Sequence, residues 1–398
     1  MRISTSNSYD ASLQQLMKRQ DDLSSAQEQL TTGKRVNRAS DDPAAAARAE
    51  RALAAENRAV AGQRAVDASK NAMTLTESAL GDATDLLQQV RETMLSAGNA
   101  TYTDAERKGL ADKIGELRKQ LVAVANRADG AGTYLFGGQG SGQAPFLDAA
   151  GGVVYRGGSG ETAVASTESL PITTNGEQIW MQSRSGNGVF DTNAVTATGT
   201  AWIDSGHVTN PSALTGSTYS IQFSVAAGVT TYSILQDGAP TAQVGMPFKP
   251  GQAIEIDGMA ASIAGNPADL DEFTLTPSTS SQTVFDTLDK AIADLKTPLR
   301  SGTQIAQSNA DNLANLDQVM ATLSGARTRI GETLNRIDGV TGRLDSLKLS
   351  SKTARSDAED LDMTNAISDF ASQQTGYDAS LKAYTMVQKL SLFNYLNG

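Results

Sequence analysis

Few residues in this sequence combine the side-chain type and the spacing that chemistry requires. The single histidine, His207, lies in the turn-like stretch His207-Val208-Thr209-Asn210-Pro211 with no second ligand type near it, so it reads as a surface or packing residue. Asp41 and Asp42 are adjacent carboxylates, a pair that could hold a metal or share a proton. Pro43 follows directly, however, and an aspartate just before a proline suits the capping of a helix that begins with that proline. Asp357, Glu359, Asp360 and Asp362 form a second acidic cluster, read as a solvated helix start. The run Gly137-Gly138-Gln139-Gly140-Ser141-Gly142 could approach a phosphate, yet it has neither the dinucleotide-fingerprint spacing nor the Lys-Ser/Thr ending of a P-loop. It reads as a flexible turn. Trp180 and Trp202 are expected to anchor a core or an interface, with stacking on a glycan as the weaker alternative.

The sequence has no cysteine, which excludes disulfides, thiolate catalysis and cysteine-based metal sites. A cell-wall hydrolase would need catalytic carboxylates or metal ligands in a cleft, and none of those constellations is visible. No catalytic, cofactor-binding or metal-ligating residue is assigned and no cofactor is expected. The chain reads as a structural building block rather than an enzyme.

Composition agrees with that reading. The 398 residues allow two or three domains, but hydrophobic residues make up 39% and aromatics 5%, values that suit thin helical layers better than one large globule. A formal charge of -11 argues against binding to nucleic acid or to anionic membranes, which need a basic surface. Between positions 141 and 280 the imbalance sharpens to twelve Asp or Glu against three Lys or Arg, as expected of a solvated exterior. No stretch approaches the roughly 18 to 20 apolar residues needed to span a bilayer, and the first residues contain no apolar run able to serve as a cleaved signal. The chain is expected to remain cytoplasmic or to leave by a route that spares its N-terminus.

The elements that must position these residues follow from periodicity. Leu13, Leu16, Gln20, Leu23, Gln27 and Leu30 step by three and four along one half-polar helical seam that Gly33 breaks. Asp42 and Pro43 open a second helix reaching about Ser96, with Met73, Leu80, Leu87 and Met94 every seven residues. Thr103 and Glu106 form a capping box for a third, to about Asn126. From Gly130 to about Pro277 the period shortens to alternating runs such as Val153-Val154-Tyr155, Tyr219 to Val225 and Ala253 to Ile256, punctuated by Gly, Asn-Gly and Asp-Gly. Helix returns with Phe285, Leu288, Ile292 and Leu295, and a rod is expected from about Thr303 to Ala354. A last seam follows: Met363, Ile367, Phe370, Gln374, Tyr377, Leu381 and Tyr384.

The expected fold is therefore α+β: a long antiparallel helical bundle or coiled coil formed by both termini, with a central β-rich inserted domain. The expected division is 1–42 with 355–398 as terminal helical segments, 43–185 with 278–354 as a helical bundle domain with β-hairpin elements, and 186–277 as a β-rich outer domain. The first seam offers about four leucines worth roughly 1.5 to 3 kcal/mol each if fully buried. Ordering its backbone costs about 1 to 2 kcal/mol per residue. The ends are thus expected to be loosely ordered alone and to become rigid when neighbours supply the missing faces, unless they close on each other as an intramolecular coiled coil.

The run Leu30-Thr31-Thr32-Gly33-Lys34-Arg35-Val36-Asn37-Arg38-Ala39-Ser40-Asp41-Asp42-Pro43-Ala44 resembles the N-terminal signature of the flagellin superfamily. The Asp-Asp-Pro ending is more similar to the hook-filament junction branch of that superfamily than to flagellin itself. Gly132-Thr133-Tyr134-Leu135-Phe136-Gly137-Gly138 with Pro145-Phe146, and the end Leu390-Ser391-Leu392-Phe393-Asn394-Tyr395-Leu396, point the same way. The resemblance implies a subunit exported without a cleavable signal peptide through the flagellar type III apparatus and placed outside the cell, in a ring between the hook-proximal junction protein (the first hook-associated protein) and the flagellin filament. It also implies contacts with copies of itself and a cytoplasmic export chaperone, with no membrane insertion. A filament-forming flagellin is the alternative. Carried over by position, Leu16, Leu23, Leu30, Ile367, Phe370, Leu381, Leu392, Phe393 and Leu396 would be assembly contacts. Gly33, Asn37, Asp41, Asp42 and Pro43 would be the helix cap and linker.

Overall fold

A computed structural model describes residues 5–99, 101–140, 142–165 and 168–396, the side chains of 5–9, 165 and 387–396 excepted. Its helices are α1 (Thr5–Thr32), α2 (Pro43–Ala97), α3 (Asp104–Ala125), the short α4 (Gly176–Trp180), α5 (Val284–Lys296), α6 (Gly302–Glu359) and α7 (Met363–Leu396). The rod α6 runs past the expected end at Ala354, so Asp357 and Glu359 lie in its last turns rather than at a helix start. The chain forms two compact units, Met1–Arg64 with Val340–Gly398, and Ala65–Gly339.

In the first unit α1 packs along α7. The two run antiparallel: Leu361 meets Gly33 at one level, while a Cβ on Gly376 would touch Arg19 farther along. In the α2 segment of this unit, Ala45, Ala49, Ala52 and Ala59 are buried on one face; on α6, Val340, Leu344, Ser351 and Ala358 are buried, and Arg355 pairs with Glu56 at 3.6 Å.

In the second unit the heptad positions Met73, Leu80, Leu87 and Met94 are all buried, as one seam of a bundle requires. Thr103 and Glu106 form the capping box at the head of α3, and the buried face of α3 carries Ile114, Leu117, Leu121 and Val124. α5 packs against α3 with Phe285, Leu288 and Leu295 inward. Trp180 is fully buried, stacked on Phe285 (5.9 Å, 10°) and edge-on to Phe136 (5.4 Å, 83°), which makes it a core anchor.

The β-rich part of this unit has a core of its own. Strand Tyr219–Ala226 lies between Val229–Gln236 and Glu272–Pro277, and the last pairs with Phe190–Thr196, all antiparallel. A smaller sheet pairs Met259–Ala264 with Ala253–Ile256, Trp202–Ile203 and His207–Val208. Ile221, Phe223, Phe273 and Leu275 from one sheet and Ile254, Ile256 and Ile263 from the other bury together. The Asp257-Gly258 turn has φ of +44° and +80°, the pattern of a tight hairpin turn whose twist matches its strands. His207 is exposed on a short strand, not in a turn, because Ala260 pairs with it. Trp202 is half-buried on its strand. Gly138–Gly140 form a 3₁₀ turn, with Gly138 at φ +59°.

Candidate assembly surface at the helical ends

The residues between α1 and α2 and those between α6 and α7 build one elbow. Gly33 closes α1: its N–H bonds Gln29 O at 2.8 Å and its φ of +69° is the left-handed conformation that ends a helix most cheaply in glycine. Arg35 N–H then donates to Glu359 O (2.7 Å), and Leu361 N–H returns to Gly33 O (3.0 Å), with Lys34 opposite Asp360 as an antiparallel bridge. The Arg35 guanidinium donates through Nη2 to Ala358 O (2.9 Å) and through Nη1 to Asp42 Oδ2 (3.2 Å). It thereby satisfies a carbonyl left free at the end of α6 while tying that end to the start of α2. Lys34 Nζ sits 3.1 Å from Glu359 Oε1.

Asp42 caps α2, whereas Asp41 holds the linker turn before it. Asp41 Oδ2 accepts from the backbone N–H of Asn37 (3.0 Å) and Arg38 (2.8 Å), and Asp42 Oδ1 accepts from Ala45 N–H (3.0 Å), the amide three residues into α2. The Arg38 amide chiefly holds the Asp41 carboxyl below the ordinary value, and the Ala45 amide followed by Arg35 does the same for Asp42. Asp362 caps α7, accepting from Thr364 N–H (3.0 Å) and Asn365 N–H (3.3 Å). Among the described residues no group of three His, Cys, Asp or Glu is arranged to hold a metal ion, and no helix is long and apolar enough to cross a membrane.

The elbow brings Gly33, Asn37, Asp41 and Asp42 together, and Pro43 is the first residue of α2. Val36 is buried at its centre, beside an open groove of about 590 Å³ lined by Arg38, Ala39, Ala46, Ala49 and Glu359. The acidic cluster is not merely solvated, because Glu359 and Asp360 face Lys34 and Arg35 from the other linker. Sequence reasoning missed Lys34, Arg35 and Glu359 as braces. The available signal was the charge match between Lys34-Arg35 with Arg38 and the acids from Asp357 to Asp362.

The paired ends are incompletely covered. Leu16, Leu23, Leu30 and Phe370 are half-buried, whereas Ile367 is 56% and Leu381 40% exposed. Met17, Met363 and Met386 are also exposed. Among the described side chains, none in 10–32 or 363–386 is buried. Leu392, Phe393 and Leu396 belong to α7, but their side chains lie outside the described residues. The seams of α1 and α7 therefore meet each other and still leave an apolar surface along the pair.

Residues 3–141 match the bacterial flagellin N-terminal helical region, and residues 313–396 match the bacterial flagellin C-terminal helical region. The chain is 28% identical over 403 residues to flagellar hook-associated protein 3 of Escherichia coli (strain K12), an alignment covering 99% of each. The crystal structure of Xanthomonas campestris FlgL superposes with a TM-score of 0.68 at 30% identity, covering 77% of this chain and 99% of that one. Identity to the phase 1 flagellin of Salmonella naestved is 37% but extends over only 113 residues, 28% of this chain and 22% of that flagellin.

Proposed function

Since the chain belongs to the flagellar hook-associated protein 3 (FlgL) family and carries flagellin-type helical regions, we propose that it joins hook to filament through its paired ends. The full-length match favours a junction protein over a filament-forming flagellin, whose similarity stops after 113 residues. Its relatives are structural proteins of the flagellum.

The observation that carries the reading is the half-finished burial of α1 and α7. A pair of helices that contact each other yet bury no described side chain completely has apolar area left for neighbours. Leu16, Leu23, Leu30, Ile367, Phe370, Leu381, Leu392, Phe393 and Leu396 would supply contacts to adjacent copies, to the hook-proximal junction protein and to flagellin. The elbow from Gly33 to Pro43 would fix where those contacts begin. The β-rich part would face outward. A subunit with such ends suits export in an unfolded state to the outside of the cell, and a cytoplasmic chaperone would cover the C-terminal helix beforehand.

Deleting residues 363–398 tests this. The expected result is intact hooks, no filament, loss of swimming and monomeric flagellin in the medium. Normal motility of the truncated strain would overturn the proposal. Unlimited self-polymerisation of the purified chain would favour the flagellin alternative.

A further inference from the structure

Three residues that line one small cavity in the Ala65–Gly339 unit each carry a buried polar atom without a partner from the protein. Arg107, in the first turn of α3, is 8% exposed; its Nη2 bonds Asp104 Oδ1 at 3.1 Å, whereas its Nη1 is buried and unbonded. Asn312 on α6 is 2% exposed and donates from Nδ2 to Asp294 Oδ2 at 2.8 Å. That bond fixes the orientation of the amide and leaves Oδ1 buried without a donor. Asn309, one turn earlier, also has a buried, unbonded Oδ1. Arg107, Asn309 and Asn312 line the same cavity, together with Met94, Ala97 and Ile305, and its volume is about 10 Å³.

We propose that this cavity is the binding site of one ordered water molecule, which accepts from Arg107 Nη1 and donates to Asn312 Oδ1 and Asn309 Oδ1. The volume is near the roughly 10 to 15 Å³ that a single water needs on this measure. The lining selects the ligand's chemistry as well. An anion would meet the two amide oxygens and the Asp294 carboxylate, which Arg300 already pairs at 3.7 Å, and a metal cation would meet the guanidinium groups of Arg107 and Arg300. A neutral molecule that accepts once and donates twice satisfies all three atoms, and water is small enough to do so.

The site also accounts for a polar stripe on α6 that is buried rather than solvated. Asn309, Asn312 and Asn315 recur every three residues on α6, and Asn312 and Asn315 are buried. Asn315 Oδ1 receives Gly186 N–H at 2.8 Å and Asn312 holds Asp294, so each of the two has a partner that apolar residues would leave unbonded. The water completes the stripe by linking it to the start of α3. It acts as a pin between two helices that meet near the end of α2.

A high-resolution crystal structure of the full chain tests the site. One isolated density peak is expected within hydrogen-bond distance of Arg107 Nη1 and Asn312 Oδ1, and it should be lost in Asn312→Leu. Absence of the peak from the wild-type map, or a direct contact between Arg107 Nη1 and Asn312 Oδ1, would overturn the proposal even if the variant fails to fold. An anomalous peak at the same place after a bromide soak would overturn it too, by making the ligand an anion.

Discussion

Leu361 donates its backbone N–H to the carbonyl of Gly33 at 3.0 Å, so the chain's exit from its first helix and its entry into its last are one hydrogen-bonded structure. Arg35 N–H bonds Glu359 O in return. Neither linker can shift along its own path without breaking a bond to the other. The elbow therefore sets the starting register of α1 against α7, and it does so with backbone groups that any side-chain sequence would retain. What the sequence must supply is a glycine at the left-handed position and two aspartates, one to hold the linker turn and one to cap α2.

Gly33→Val tests that requirement. At φ +69° a side chain costs about 1 to 2 kcal/mol, more for a β-branched residue, although no atom lies within 4 Å of a Cβ built there. The expected consequence is backbone strain rather than a clash. Amide hydrogen exchange should show faster exchange at Arg35 and Leu361, with the core around Met73 and Leu80 unchanged.

Thr103→Ala removes one half of the capping box at α3. Thr103 Oγ1 accepts from Glu106 N–H, and Glu106 Oε2 accepts from Thr103 N–H at 2.7 Å. A loss of about 1 kcal/mol is expected, read as a lower urea midpoint with unchanged slope. Thr103→Ser should recover most of it.

Asp311 gives the fold a pH dependence of defined sign. Burial is the chief reason that its carboxyl is raised from 3.8 to about 6. Asp191 and Asp294 add like charge, while Gln307, which donates to Asp311 Oδ1 at 2.7 Å, and Lys290 oppose the rise; Arg300 lines the same cleft. The folded state thus holds this proton more tightly than the unfolded state. Its contribution is fully present below the ordinary value of 3.8 and is lost as pH rises through about 6. Asp311→Asn should raise stability by on the order of 2 to 3 kcal/mol above about pH 7 and by almost nothing near pH 3. Urea unfolding at the two pH values checks this. Asp41 and Asp42 work in the opposite direction, since their lowered carboxyls favour the fold until pH falls below the ordinary carboxylate range.

The features legible in the sequence are those that one segment determines by itself. Met73, Leu80, Leu87 and Met94 repeat on one face, Thr103 and Glu106 cap within four residues, and Asp257-Gly258 carries its own turn geometry. Features set by distant partners were not legible. His207 is on a strand because Ala260 pairs with it, and Glu359 is a brace because Lys34 and Arg35 arrive from the opposite end of the chain. The stripe of Asn309, Asn312 and Asn315 was hidden for a related reason. Polar residues at helical spacing suggest a solvated face until Asp294 and Gly186 are seen to engage two of them.

The exposed seam yields the prediction that separates assembly from folding. Ile367 and Leu381 are 56% and 40% exposed in the free chain, so about half of their apolar area is still open to water. Ile367→Ser with Leu381→Ser should change unfolding free energy by only about 1 kcal/mol per site, as half-covered side chains do. Met73→Ala, at a fully buried position, should cost about 2 to 5 kcal/mol. In cells the order should reverse for a strain whose chain still folds: the double serine variant should leave hooks without filaments, because the area it alters is that left for neighbouring subunits. Swimming and flagellin release into the medium report this outcome. If the double variant instead unfolds as readily as Met73→Ala, the seam belongs to the core of the free chain, and the neighbours must bind elsewhere.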